Sequence, residues 1–233
     1  MVARELVADI RRELGPIRDR VTDHPYLRAV EERRIELGLL RPFVGEQFQI
    51  VSVGLRNLAH LAGRFGGDLY LDLLAGERAV LGTIPALAAA IGMSEQDLLE
   101  YEPMAEAHAY AAYTASLAAY ASEAEVAAAL AVNFPGSAES FRRLGRALRL
   151  AYELSGAQAA FFGLFEDQGP GFEAAAIPII DAGLGRGVPE RLLRRSSRLL
   201  AEYEALFWDA LYERLEPASS PLPLPSEAAD LGE

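Results

Sequence analysis

Near the end of the chain, Tyr203-Glu204 is followed two residues later by Phe207-Trp208. The stretch around them, 192–214, reads as a helix. Leu192, Leu199, Leu200, Tyr203, Leu206, Phe207, Ala210 and Leu211 recur at three- and four-residue spacing, which places them on one stripe. Glu204 falls one turn after Leu200 and one turn before Phe207 and Trp208, on the flank of that stripe. A carboxylate there is drawn partly out of water, and burial raises its pKa unless a cation or a donor offsets it. A carboxyl group tuned in this way is a candidate general acid or base. Taken alone, an edge glutamate reaching solvent is the plainer account, so the weight falls on what other helices bring to it.

Three further stripes carry polar groups among apolar ones. On the first, Phe43, Gln47, Ile50, Val51 and Gly54 share a face, so Gln47 is an amide on an apolar surface. A buried amide must find partners, at a cost of roughly 1–3 kcal/mol per unmade bond. It serves a ligand or ties two helices, and the tie is the commoner case. Glu46 sits beside it, about 100° round the helix. On the second, Glu106, Tyr110, Tyr113, Leu117 and Tyr120 align. Tyrosines so spaced are usually core, and they can also wall a flat ring. On the third, Ser137 leads Phe141, Leu144, Leu148 and Ala151. Serine at a first turn is most often a cap.

Several chemistries are excluded or unsupported. There are no cysteines, which removes disulfides, thiolate metal sites and a cysteine nucleophile. Every basic residue is arginine, so a Schiff-base lysine is absent too. Two-iron sites in helical bundles want Glu-x-x-His on facing helices. His24, His60 and His108 offer no such spacing, and Glu46 and His60 lie fourteen residues apart, too far along one helix to share an ion. No metal and no cofactor is expected. The net charge of −12 argues against nucleic acid as a partner, because phosphate contacts need a basic face.

The elements that must position these residues are helices. Hydrophobic residues make up 51% of the 233, alanine is frequent, and no stretch alternates as a strand would. The fold class is all-α: one domain over 1–215, followed by a Pro-rich tail, 216–233, expected to be disordered. The pattern predicts a helix over 2–22, bent at Gly15-Pro16, and another over 25–37. A core helix runs over 39–65, apolar nearly all round from Phe43 to Ala62. Residues 68–92 give one or two helices, broken near Gly76 or Pro85, and Ser94 opens a capping box. Helices over 103–120 and 123–133 follow. Asn133-Phe134-Pro135-Gly136 ends the latter, and a new helix covers 137–154. A short helix, 158–166, carries Phe161, Phe162 and Phe165, and 167–171 reads as a loop. Helices over 172–182 and 189–215 close the chain. The N-terminus has no apolar targeting core. The longest apolar run, about Ala79 to Met93, holds Pro85 and is shorter than the ~20 residues that span a bilayer. The expectation is a cytoplasmic protein without a membrane partner.

The order of these pieces resembles the TenA/thiaminase II family, within the larger group that includes PqqC and the haem oxygenases. His24-Pro25-Tyr26 comes first, then the Gln47 helix, then Ala112-Tyr113-Thr114 after a proline. Ser137, Phe141 and Leu144-Gly145 come next, and Tyr203-Glu204-x-x-Phe207-Trp208 is the most specific piece. The likeness covers roughly residues 18–213. It implies a haem-oxygenase-like helical bundle around a central pocket, often in dimers or tetramers. It also implies an aminopyrimidine held between aromatic rings and hydrolysed at its exocyclic amino group, with a glutamate on the last helix as acid/base.

Glu204 matches that glutamate, and Tyr113 and Phe207 match pocket aromatics; Phe165 stands where a tyrosine is expected. The family's cysteine is replaced by Ser137 and its pyrimidine-gripping aspartate by Gln47. The expected site therefore comprises Glu204 as catalyst, with Glu46, Gln47, Tyr113, Ser137, Phe141, Phe165 and Phe207 around the ligand. A branch of the family relies on carboxylates instead of the cysteine, which leaves Glu46, Glu106 and Glu139 open for that part. The expected partners are a small aromatic heterocycle and further copies of the chain. The alternative to an enzyme is a binding or regulatory module that kept the fold and lost the chemistry.

Overall fold

The computed structural model describes residues 2–165 and 168–215. Among these the regular elements are helices: α1 (Val2–Glu13), α2 (Gly15–Thr22), α3 (Pro25–Glu31), α4 (Arg41–Phe65), α5 (Asp68–Ala90), α6 (Glu95–Leu99), α7 (Ala105–Tyr120), α8 (Glu123–Leu150), α9 (Ala160–Gly163), α10 (Gln168–Gly185) and α11 (Glu190–Glu213). No strand occurs among the described residues, and the fold is all-α. The expected tail, 216–233, lies outside them.

Helix α11 packs on α7 and α8, α4 packs on α5 and α7, and α10 covers the far side of α8. The core is built on aromatic rings that three helices and a short connector bring together. Phe43 of α4 stacks on Phe162 of α9 at 5.9 Å and on Trp208 of α11 at 6.1 Å. Trp208 and Tyr26, both fully buried, meet at 5.9 Å. Large rings bury much apolar area for little conformational entropy, so this cluster anchors α3, α4, α9 and α11 to one another.

The boundaries differ from the sequence expectations in instructive ways. Pro135 does not end a helix: α8 runs unbroken from Glu123 to Leu150. Proline removes the donor that would bond the carbonyl four residues back. That carbonyl belongs to Ala131, and Arg11 of α1 donates to it at 2.6 Å. A side chain from another helix thus takes over the missing bond. Likewise α5 continues past Gly76 and Pro85, with Tyr70, Val80, Ile84 and Leu87 holding its inner face in the core. By length and composition alone α5 is apolar enough to cross a membrane, which the reading of an interrupted run had missed. The 2–22 helix is two helices meeting at Leu14, with Pro16 in the first turn of α2, where no donor is needed. Helix α3 stops early, at Glu31, before Arg33 at φ 52°. Its cap is His24 rather than Asp23: the His24 Nδ1 accepts the Tyr26 N–H at 3.2 Å. The stretch read as a loop over 167–171 is helical from Gln168.

Candidate functional site

The apolar stripe of α11 carries Glu204 inward, and its side chain is only 7% exposed. Two donors from α8 hold its carboxylate. The Ser137 hydroxyl donates to Oε1 at 2.7 Å, and the Asn133 amide donates to Oε2 at 2.8 Å. Asn133 and Ser137 are one turn apart and flank Pro135, so the uninterrupted helix is what aims both at one carboxylate. The Trp208 indole N–H, one turn on, also faces Glu204 but makes no hydrogen bond of good geometry. Burial pushes the Glu204 carboxyl up to about 6, against the pull of these donors.

Glu204 opens onto a cavity of about 160 Å³. One wall is a stripe of α4 in which Gln47, Val51, Gly54, Leu58 and Leu61 follow one another turn by turn. Of the expected residues, Gln47, Ser137, Phe141, Phe165, Glu204 and Phe207 line this one space. Gln47 is buried and makes no side-chain hydrogen bond among the described residues, so its amide is free for a ligand. Phe141 and Phe165 lie 4.6 Å apart and Phe207 packs on Trp208 at 5.1 Å, which gives the cavity an aromatic end beside Glu204.

Two expected residues lie elsewhere. Glu46 is fully buried and binds protein: Tyr101 Oη donates to its Oε1 at 2.9 Å and the Met104 N–H at 2.7 Å. The Tyr101 ring occupies the place where a Cβ on Gly45 would stand, so Gly45 and Glu46 together clamp the chain entering α7 onto α4. Burial raises the Glu46 pKa, with those two bonds opposing. Tyr113 turns away from the cavity and meets Tyr203 at 5.1 Å. Its place on the wall is taken by Tyr110, whose hydroxyl reaches Asn133 Oδ1 at 3.4 Å. The other carboxylates left open are also displaced: Glu106 is exposed, and Glu139 pairs with Arg142 at 2.6 Å.

Asn133, which holds Glu204, and Glu77, which lines the cavity, were not foreseen. Asn133 was read as part of a helix stop, although an amide within Ala131-Val132-Asn133-Phe134 is itself a polar group on an apolar face. Glu77 enters from α5. Leu73, Glu77, Val80 and Ile84 fall at helical spacing, a signal hidden by the expected break at Gly76. Burial pushes the Glu77 carboxyl up to about 7. A smaller cavity of about 70 Å³ lies behind Glu204 and Asn133, walled by Arg11 and Arg18. Among the described residues no three side chains of metal-ligand type converge. His24 is occupied structurally, with Nε2 donating to Asp209 at 3.1 Å.

No curated protein matches the sequence. Solved structures do. A TenA homologue from P. horikoshii OT3 superposes with TM-score 0.73 at 18% identity, over 90% of this chain and 99% of its own. A TenA homologue from Pyrococcus furiosus gives 0.69 at 21% identity, over 89% and 100%. A domain with a heme oxygenase-like fold from Shewanella denitrificans OS217 gives 0.67 at 14% identity, over 88% and 91%. These likenesses establish the haem-oxygenase-like fold. The sequence itself matches the model of the TENA/THI-4/PQQC family over residues 11–160, nearly two thirds of its length, and the chain therefore belongs to that family.

Proposed function

We propose that the protein binds a small nitrogen heterocycle of the aminopyrimidine type in the 160 Å³ cavity and hydrolyses an exocyclic C–N bond, with Glu204 as acid/base. The observation that carries this reading is the state of Glu204: buried beside aromatic rings, held by two α8 donors, and tuned to about 6. A carboxyl group at that value is mostly ionised at neutral pH yet still gives up a proton readily, which suits transfer in both directions. In the proposed step the carboxylate takes a proton from water as the water oxygen bonds to the substrate methylene carbon. The C–N bond breaks, and Glu204 returns the proton to the departing nitrogen, which leaves as ammonia. Ser137 and Asn133 act as positioning residues that fix the carboxylate.

A second reading, a binding module without turnover, is favoured by one observation. The Ser137 proton is committed to Glu204 and Gln47 carries no charge, so neither supplies what a cysteine and an aspartate would. An ammonia-release assay on 4-amino-5-aminomethyl-2-methylpyrimidine separates the two. Turnover by the native protein should fall about 10²–10⁴-fold in Glu204→Gln, which keeps shape but not proton transfer. Ser137→Cys with Gln47→Asp should raise it. Calorimetric binding without turnover in the native protein supports the module, and neither binding nor turnover in any variant overturns both readings.

A further inference from the structure

Glu77 has no role in the chemistry described above, and its setting is unusual. Its carboxylate lies in the cavity wall among Leu58, Leu61, Leu73 and Leu117. Among the described residues no arginine, histidine or hydrogen-bond donor pairs with it. Arg56, His60 and Arg78, the nearby cations in sequence, are on exposed faces. From another helix, the Tyr110 phenol feels the charges of both Glu77 and Glu204. Room for the carboxylate is made on α4: a Cβ added to Gly54 would stand only 2.3 Å from Glu77 Oε1. The backbone of the core helix is thus recessed at the one point where this carboxylate lies. A buried carboxylate left without a partner is costly, and such groups are paired or neutralised. The remaining element of a pair has to come from the cavity itself.

We propose that Glu77, seated against Gly54, is a second ligand-binding group, and that the natural ligand carries a positively charged nitrogen, amidinium or ammonium, that pairs with it. Gly54 follows Gln47 by seven residues, about 10 Å along α4 at 1.5 Å per residue. The ligand therefore bears its charge about two turns of α4 from the Gln47 amide, with Ile50 and Val51 lining the cavity between. This rests on the reading of the cavity as the ligand site, and it adds a selection rule to that reading. It also has a thermodynamic consequence. Burial holds Glu77 up to about 7, so near neutral pH the empty site is partly protonated. A cation binds the ionised form, so binding must expel the proton.

The test uses a charged probe and its uncharged shape-mate, benzamidinium and benzamide, titrated calorimetrically into the native protein, Glu77→Gln, Gly54→Ala and Glu204→Gln. Benzamidinium should bind the native protein at least about tenfold tighter than benzamide, a pairing difference of roughly 1.4 kcal/mol. That preference should vanish in Glu77→Gln, weaken in Gly54→Ala, which displaces the carboxylate without removing it, and survive in Glu204→Gln. Repeating the native titration in phosphate and Tris at pH 7 should reveal proton release with benzamidinium and none with benzamide. A preference abolished by Glu204→Gln and kept in Glu77→Gln overturns the assignment, as does equal or absent binding of the two probes. A second measurement needs no ligand. Glu77→Gln removes an unpaired buried charge, so it should melt above the native protein at pH 8; melting below it would make Glu77 a structural group and overturn the proposal. Failure of pyrimidine turnover leaves all these readouts intact, so the two readings stand or fall separately.

Discussion

At Glu204, burial and hydrogen bonding pull in opposite directions, and burial wins. The sign has consequences for stability. A carboxyl group whose folded value is raised binds protons more tightly in the native state than in the unfolded one. Its contribution is fully present below the ordinary carboxylate range and is lost as pH rises through about 6. His24 acts oppositely: burial lowers its pKa, so its penalty in acid disappears as pH rises through about 6.5. The native melting curve mixes these with the raised Glu46 and Glu77 carboxyls, but the difference between native and Glu204→Gln isolates the Glu204 carboxylate. Glu204→Gln should therefore gain on the native protein in melting temperature between pH 5 and pH 8, by calorimetry at each pH. A gap that is flat or shrinks would contradict the raised value. Asn133→Leu keeps volume and removes a donor, so it should lift Glu204 further and move the acid limb of any activity profile to higher pH.

How much of the site could be read beforehand turns on particular residues. Glu204 was legible because α11 has a sharply two-sided pattern, with an apolar stripe that fixes the rotation of every residue on it. Tyr113 was not, because α7 is rich in alanine on all sides and has no polar face to set its rotation. Tyr110 and Tyr113 differ by three residues, about 300° of turn, and the sequence pattern permits either to face inward. Glu77 and Asn133 were hidden by glycine and proline, read as breaks where the tertiary structure carries the helix through. Glu46 was placed on the right helix, but its partner Tyr101 lies fifty-five residues away, where no local spacing reveals it.

Among the elements, α8 is the one whose continuity the site needs. Were it broken at Pro135, Asn133 and Ser137 would belong to separate helices and could not converge on Glu204. Arg11 maintains that continuity by satisfying the Ala131 carbonyl, and it also pairs with Glu173 of α10 at 2.7 Å. Arg11→Met should leave the carbonyl unpaired and destabilise the protein by roughly 1–3 kcal/mol. Pro135→Ala restores a backbone donor to that same carbonyl. The two changes should therefore couple: Arg11→Met costs less in the Pro135→Ala background than in the native one. Denaturant unfolding of the four proteins in the cycle measures this. Additive effects would mean that the arginine acts through Glu173 alone and not through the helix.

For the whole molecule, the outer surface raises the question of association. Trp208 is fully buried, Tyr110 lines the cavity and Tyr203 packs on Tyr113, whereas Tyr120 is 86% exposed. Arg64 at the end of α4 donates to the carbonyls of Ala118 and Ala121. That contact places Tyr120 at the same end of the bundle as the turn into α5, where Leu71 is 54% exposed. From there the outer face of α5 continues through Ala75, Ala79 and Ala86, all exposed. A contiguous exposed apolar patch is a candidate contact surface between protein chains. We expect a homo-oligomer, a dimer or tetramer, that covers this end. Light scattering should give a mass that is a multiple of 25.2 kDa at micromolar concentration. A stable interface buries about 800 Å² per partner, so a charge at its centre should dissociate it. Tyr120→Asp with Leu71→Asp should accordingly shift the mass towards the monomer while leaving the helical circular dichroism unchanged. A native protein that scatters as a monomer across a wide concentration range would show that this face stays open to solvent.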